Sequence, residues 1–597
     1  YASEGFARVG ARLGRAHCSL RMSKPTSAKP SEAYMARKRN AAKVNAVTTG
    51  EAPWGNIETN VLSKPPENVS ADASWASVIG MWLLLPLNIL QAIFGALLPI
   101  VYRNYSWWAA QSVGCGRPFL LAWTWWRYVL TGLLALILPC TGGGSRLRLF
   151  RWEWAAFGKG EYWYHGEGVW AWTYAMVDAI QKGSQARKAA FGCIAAAIPD
   201  LFPKGILIFL PNSGKSPEAE ASPAAEEKNE WWWMRQEFHK IFFAGNPGYY
   251  ERLQNIGPYL KKNGVVPDRS KLDDKEYLNG LVVQCVMYVI FDAYAEGGTI
   301  GSTGLDRSQP ANWDHAEYEP IWLSPDEVSQ MVNWRGYAAY WVLPRLLQRF
   351  LFNFLIGRVK GLRKDSADLV DKHRLRAPFE KMNSQLPEQF RSEYGVELMD
   401  KVFFIFGFAG IGGTSAGVES TGQFLQGKTG EIGDGLVTFP PGYDGLAMWK
   451  DGDSSTRHNF IREVCRLDPP VTSATTSFVA EKTILLYNGV GCPNACGGNK
   501  ETTFPKGTLN QYTLSMANRD PATFAEPQTF NPSREELDKA LTWNGAFKVI
   551  PYLAAPGPEP DALAAQYPRI CPGRKLSIYI IEAIINALIL EDAPTAP

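Results

Sequence analysis

Cys571 stands in Tyr567-Pro-Arg-Ile-Cys571-Pro-Gly-Arg-Lys-Leu-Ser577, and an apolar run from Lys575 to Leu590 follows, reading as the last helix of the chain. A cysteine at a helix N-terminus faces unpaired backbone N–H groups and the positive end of the dipole. Arg569, Arg574 and Lys575 add positive charge, so the spacing predicts a stabilised thiolate, the form that ligates a metal. Gly573 lets a large group approach the backbone. A lone cysteine near a helix start is more often simply buried. A ligand loop therefore has to be recognised by what supports it elsewhere in the chain.

That support is present in order. Glu463-Val-Cys-Arg466 places Glu and Arg on one helix face, able to pair with each other and with a third charge. Arg466-Leu-Asp-Pro-Pro-Val471 follows, then Phe504-Pro-Lys-Gly507-Thr508. Next come Ala517-Asn-Arg-Asp520-Pro521-Ala-Thr-Phe524 and Phe530-Asn-Pro532-Ser-Arg534. Upstream, Trp231-x-x-x-Arg235 precedes the glycine-rich Phe408-Ala-Gly-Ile-Gly-Gly-Thr414. Taken together, these segments resemble the cytochrome P450 family over about residues 146–597. The resemblance implies a mainly α fold with small β-sheets and a haem b cofactor. It makes the Cys571 thiolate the proximal iron ligand, and Gly573 part of its loop. It sets Trp231, Arg235 and Arg569 at the propionates, with His239 within reach of one. It also makes Glu463, Arg466 and Arg534 a buried ionic knot.

The chain departs from the family at the Cys loop and at the glycine-rich helix. Where the family has Phe seven residues and Gly four residues before the Cys, this chain has Ala564 and Tyr567. Gly412 and Gly413 stand where the family has an acid and then Thr, and Thr414 comes one position late. Without that acid–alcohol pair no relay is evident to carry protons to bound dioxygen. The allene oxide synthase and hydroperoxide lyase subgroup dispenses with the relay, and Phe408–Gly413, Trp543-Asn544-Gly545 and Arg466–Val471 resemble its wording. That resemblance implies rearrangement or cleavage of a fatty-acid hydroperoxide without O2 or a reductase. Ala409, Gly410, Gly412, Gly413 and Thr414 then line the reacting side, with Ala409 where the subgroup has a hydroperoxide-positioning Asn. The alternatives are a P450 monooxygenase and a non-catalytic P450-like accessory subunit of a large organelle membrane complex.

The N-terminal quarter has a different character. Residues 1–76 form a basic, extended arm; its first 50 residues carry ten Lys/Arg against Glu4 and Glu32, as an organelle transit-peptide remnant or a surface-binding arm would. Residues 77–145 read as membrane-associated helices, because Val78–Tyr102 is a 25-residue run without a charge. Phe119–Cys140 is a second apolar block, interrupted by Arg127, and Trp107, Trp108, Trp123, Trp125 and Trp126 surround it as interfacial residues would. An organelle membrane is expected, plastid before mitochondrion. A net charge of +3 on 61 basic and 58 acidic residues argues against nucleic-acid binding. Nine cysteines in 597 residues do not make a disulfide scaffold.

Helices are expected at Trp231–Phe243, Leu278–Tyr294, Ser324–Ile356, Lys401–Leu425 and Arg457–Leu467, with short strands over 470–515. Gly427–Ser455 reads as a glycine-rich connection, and residues 211–230 as a solvated loop. Cys492 and Cys496 lack a second pair of ligands for a four-coordinate metal. Gly422–Thr429 spells a phosphate loop but ends a helix instead of opening one. Asn68-Val-Ser70 and Asn104-Tyr-Ser106 are short sequons that recur by chance.

Overall fold

The structure, a computed structural model, describes residues 162–164, 168–171, 173–182, 187–189, 210, 228–339, 352–391, 396–429, 437–471, 474–478, 482–486, 500–504, 509–546 and 566–590. The basic arm, the membrane-associated helices, both sequons, Cys492, Cys496, residues 505–508 and Ala564 lie outside them, as does most of the 211–230 loop.

Strands β1 (Tyr162–Tyr164) and β2 (Gly168–Ala171) lead into helix α1 (Tyr174–Lys182) and strand β3 (Arg187–Ala189). Near the other end come β4 (Ala474–Phe478), β5 (Lys482–Leu486), β6 (Lys500–Phe504) and β7 (Leu509–Tyr512). One five-stranded sheet runs β1-β2-β7-β4-β3. Its β2–β7 pair is parallel, with Gly168 opposite Leu509, so the sheet joins the two ends of the body. Sheets were expected only in the C-terminal third; the N-terminal strands are too short, at three or four residues, to show alternation. Strands β5 and β6 pair antiparallel, and β8 (Leu541–Thr542) turns directly into β9 (Gly545–Ala546). Trp543 and Asn544 at that turn have φ of 51° and 62°, the left-handed pair a two-residue hairpin turn requires.

Local chemistry starts the helices. Asn229 caps α2 (Glu230–His239) by accepting from the Trp232 N–H at 3.0 Å, with Glu230 in the first turn. Asp274 caps α3 (Lys275–Val286) through the Tyr277 N–H. Ser324 and Glu327 form a capping box at α4 (Pro325–Ala339), where the Glu327 carboxylate accepts from the Ser324 N–H at 2.8 Å. The helix expected to end at Ile356 instead runs as α5 from Phe352 to Lys372, and α6 (Arg376–Gln385) was not foreseen. Buried Leu362, Ser366, Leu369 and Val370 recur at helical spacing in α5, but the charges between them mask the apolar stripe.

Helix α7 (Val396–Phe404) continues through a π-helical stretch, Ile405–Ile411, into α8 (Gly412–Leu425). Helix α9 (Gly445–Asp451), capped by Asp444, lies inside the segment expected to be connective. Its Trp449 is fully buried and donates its indole N–H to Asn586 at 2.8 Å. Helix α10 (Ser454–Leu467) is capped by Asp453. Last comes α11 (Arg574–Ile589), with Ile580, Ile581, Ile584, Ile585 and Leu588 all fully buried. Gly417 lets α8 press against α11, since a Cβ there would lie 2.7 Å from Ile581 Cδ1.

Two further π-helical stretches, Lys240–Ala244 after α2 and Met287–Phe291 after α3, meet the one at Ile405–Ile411 ring to ring. Phe406 lies 5.7 Å from Phe242, 5.5 Å from Phe291 and 6.3 Å from Phe243 between centroids. Such turns are rare and are frequent at functional sites. Here aromatic packing holds three of them at one place in the core.

Candidate functional site

The knot expected of Glu463, Arg466 and Arg534 is formed. Arg466 donates to Glu463 twice, at 2.7 and 2.8 Å, and the Arg534 Nε lies 3.0 and 3.1 Å from its two oxygens. The Asn531 N–H donates to the same carboxylate at 2.9 Å. Glu463 and Arg466 are fully buried, so each charge depends on these partners. The arginines spend their remaining N–H groups on backbone carbonyls. Arg466 reaches Asn518 and Pro527 at 2.6 and 2.9 Å, and Arg534 reaches Ala525 and Thr529 at 2.8 Å each. The Arg466 guanidinium also lies over the Phe524 ring at 5.2 Å.

From this knot the support passes to Cys571. The Asn518 side chain accepts from the Leu541 N–H at 2.7 Å and so holds the β8–β9 hairpin. At the tip of that hairpin the Trp543 carbonyl accepts the Cys571 N–H at 2.7 Å. Gly545 has to be glycine, because a Cβ would sit 2.8 Å from Cγ of the buried Tyr567 ring.

Cys571 lies just before α11 and is in no disulfide. Part of its surface is open, yet the protein atoms crowded around it push its thiol above the ordinary value, against the positive neighbours named from the sequence. The Gly573 N–H, Arg235 and Arg574 act in the opposite direction, and burial wins. The other two cations expected to help are engaged elsewhere. Arg569 donates to the Leu210 carbonyl at 2.9 Å and lies 5.9 Å from the Trp231 ring, while the Lys575 ammonium sits 6.0 Å from the Tyr250 ring. Arg235 donates to the Ile570 carbonyl at 2.5 Å, so α2 braces the loop directly. His239 stacks on Phe243 at 5.9 Å.

A short chain of contacts links Cys571 to the glycine-rich helix. A Cβ on Gly573 would lie 3.8 Å from both Cys571 Sγ and Phe243 Cε1. Phe243 meets Phe406, and a Cβ on Gly410 would lie 3.5 Å from Phe406 Cδ1. Ala409 is exposed, and nothing lies within 4 Å of a Cβ placed on Gly413, four residues later. That stretch of helix therefore offers backbone and open space where a flat group could approach. Thr414 is buried. Sequence reasoning missed Phe243, the Ile570 and Trp543 carbonyls and the partner of Tyr567. Backbone acceptors carry no residue signature, and the only hint of the last was Tyr567 itself, in a place where glycine was expected.

The donor set fits a haem. It offers one sulfur with a backbone N–H directed at it, two arginines nearby and a helix face free of bulky side chains. Among the described residues no three His, Cys, Asp or Glu side chains gather to hold a metal ion. Gly427 has φ of 69° and Lys428 pairs with Asp273 at 2.8 Å, so the phosphate-loop lettering belongs to a helix end, as its context suggested.

No family model and no curated protein matches the chain. Solved structures similar to it include three cytochromes P450. One is P450BioI with acyl-carrier-protein-linked hexadec-9Z-enoic acid, at 13% identity over 71% of this chain and 85% of that one, TM-score 0.41. Another is epothilone B-bound P450epoK, at 15% identity over 74% and 88%, TM-score 0.42. The third is Mycobacterium smegmatis CYP164A2 with econazole, at 16% identity over 70% and 82%, TM-score 0.39.

Proposed function

We propose that this protein is a haem-thiolate protein of cytochrome P450 type that rearranges or cleaves a fatty-acid hydroperoxide. The observation that carries the reading is the placement of Cys571 at the start of α11. There a backbone N–H is directed at its sulfur, and the buried Glu463–Arg466–Arg534 knot supports its loop. Haem iron held by a cysteine thiolate supplies electron density that favours O–O bond cleavage.

The residues of the chain divide the remaining work. Cys571 provides the iron ligand, and the Gly573 N–H with Arg235 and Arg574 offsets part of the cost of its negative charge. Arg235, Arg569 and the Trp231 N–H are the groups to receive the two propionates. Ala409, Gly410, Gly412 and Gly413 carry no acid or alcohol to move protons, and the Thr414 hydroxyl is buried. A substrate that already contains its O–O bond suits such a stretch, since no proton delivery to dioxygen is needed. Val78–Tyr102 supports attachment to an organelle membrane, which would present lipid substrates to the body.

The test begins with the reduced carbon monoxide spectrum of the purified full-length protein. A red-shifted Soret band that is lost in Cys571→Ala is expected. Consumption of a polyunsaturated fatty-acid hydroperoxide is then measured without an electron donor, and Ala409→Asn should raise it. Robust NADPH- and reductase-dependent hydroxylation in place of that consumption would make the protein a monooxygenase. A protein purified without haem would make it an accessory subunit.

A further inference from the structure

Tyr567 stands four residues before Cys571, and its buried side chain runs away from the loop toward α1. Its hydroxyl donates to Asp178 Oδ1 at 2.5 Å, and the Ala546 backbone N–H is directed at the Tyr567 hydroxyl oxygen. Asp178 also receives the Lys182 ammonium at 2.7 Å, which lies 5.5 Å from the Tyr567 ring. The ring itself is walled by Gly545, whose lack of a side chain makes the contact possible.

The other end of α1 is tied to the knot. Asp520 accepts from the Tyr174 N–H at 2.9 Å, and the Tyr174 ring meets Phe524 edge-on at 5.9 Å. Phe524 lies beneath Arg466, and Asn518, two residues before Asp520, gives its carbonyl to Arg466. Helix α1 therefore spans from the knot to the Cys571 loop, in parallel with the route through Asn518, Leu541 and Trp543. The Cys571 N–H bond to Trp543 and the Arg235 bond to the Ile570 carbonyl hold two adjacent residues of the loop, which leaves the segment before them free to pivot. The Tyr567 anchor removes this freedom.

We propose that Tyr567 and Asp178 are positioning residues for Cys571: their hydrogen bond makes α1 a second strut that fixes the loop in the geometry ligation needs. The proposal rests on the haem-thiolate reading for its functional meaning, whereas its mechanical content does not.

Two measurements on the full-length protein test it. In the haem-loaded form, Tyr567→Phe and Asp178→Ala should each convert most of the reduced carbon monoxide adduct from the thiolate-type Soret band to the shorter-wavelength band. Haem content and far-ultraviolet dichroism should stay as in the wild type. In the haem-free form, exchange of the Cys571 amide should accelerate about tenfold in both variants, while the α3 amides are unchanged. The double variant should show no more than either single one, because both remove the same bond. Asp178→Ala removes the acceptor, leaves the buried ring in place and provides both readouts should Tyr567→Phe fail to fold. Variants that merely melt earlier, with band and amide protection intact, would overturn the proposal and leave the contact purely structural. A wild-type protein that binds no haem would overturn the functional reading instead, and the exchange result would still decide whether the strut exists.

Discussion

The Arg235 guanidinium donates to the carbonyl of Ile570 at 2.5 Å, so a side chain from α2 holds the residue directly before Cys571. Arg235 is buried and lies close enough to Cys571 to favour its charged form. One arginine thus serves both the backbone of the loop and the electrostatics of the sulfur. Arg235→Gln should cost about 1.5–3 kcal/mol, the range for a buried hydrogen bond from a charged group. Urea unfolding measures this loss. Haem content of the variant should fall with it.

Glu463 accepts from Arg466, Arg534 and the Asn531 N–H within a fully buried pocket. Glu463→Gln leaves two guanidinium groups facing a neutral amide, and removing one partner of a buried ion pair typically costs about 3–5 kcal/mol. That is a large part of a domain's net stability. The variant should be recovered chiefly as insoluble chain, and any soluble fraction should unfold at much lower urea than the wild type.

Two glycine-to-alanine changes should move stability in opposite directions. At Gly545 the new methyl would meet the Tyr567 ring at 2.8 Å and Ile570 Cδ1 at 3.2 Å, both held in a packed core. Overpacking of that kind costs about 1–3 kcal/mol. At Gly413 nothing lies within 4 Å and the backbone is helical, so in the haem-free protein alanine should stabilise by about 0.5–1 kcal/mol. Thermal unfolding of the two variants side by side checks the contrast. A Gly413→Ala that stabilises the haem-free protein but weakens haem retention would mean that the open face at Ala409 and Gly413 receives the haem.

The site was legible in the sequence wherever function sits in unusual residue types at fixed spacing. Glu463, Arg466 and Arg534 could be named because their segments resemble the family's wording in its order, and Cys571 also because a thiol beside a helix start and positive charge suits a metal ligand. Much of the helical fold was legible too, since Leu278–Tyr294 and Lys401–Leu425 carry long apolar patterns. The π-helical stretches inside them were not, because one extra residue per turn leaves the hydrophobic pattern nearly unchanged over so short a span. Helix α5 was cut short by its charges, and β1 to β3 were overlooked because their partners lie at the far end of the chain. At Cys571 only half of the balance could be read from the sequence. Dipole and charge can be read locally, whereas the crowding that desolvates Cys571 comes from segments distant in sequence.

Glu327 gives the fold a defined acid dependence. Burial alone would raise its carboxyl, but the Lys372 ammonium, the N–H and hydroxyl of Ser324, and His373 pull it down to about 2. The bonds to Ser324 close the capping box of α4, and Lys372 and His373 tie that helix to the end of α5. A carboxylate held below its usual 4.5 stabilises the folded state above that pH, and the benefit disappears as pH falls toward about 2. Lys372 is mostly exposed, so solvent and salt weaken its share and the Ser324 bonds supply the larger part. Glu327→Gln should therefore lower stability by about 1 kcal/mol at neutral pH, as loss of a helix cap does. Urea unfolding of variant and wild type should show that gap persisting down to pH 5 and closing between about 4.5 and 2. A gap that stays constant through that window would mean that the Glu327 negative charge contributes nothing to holding α4 and α5 together.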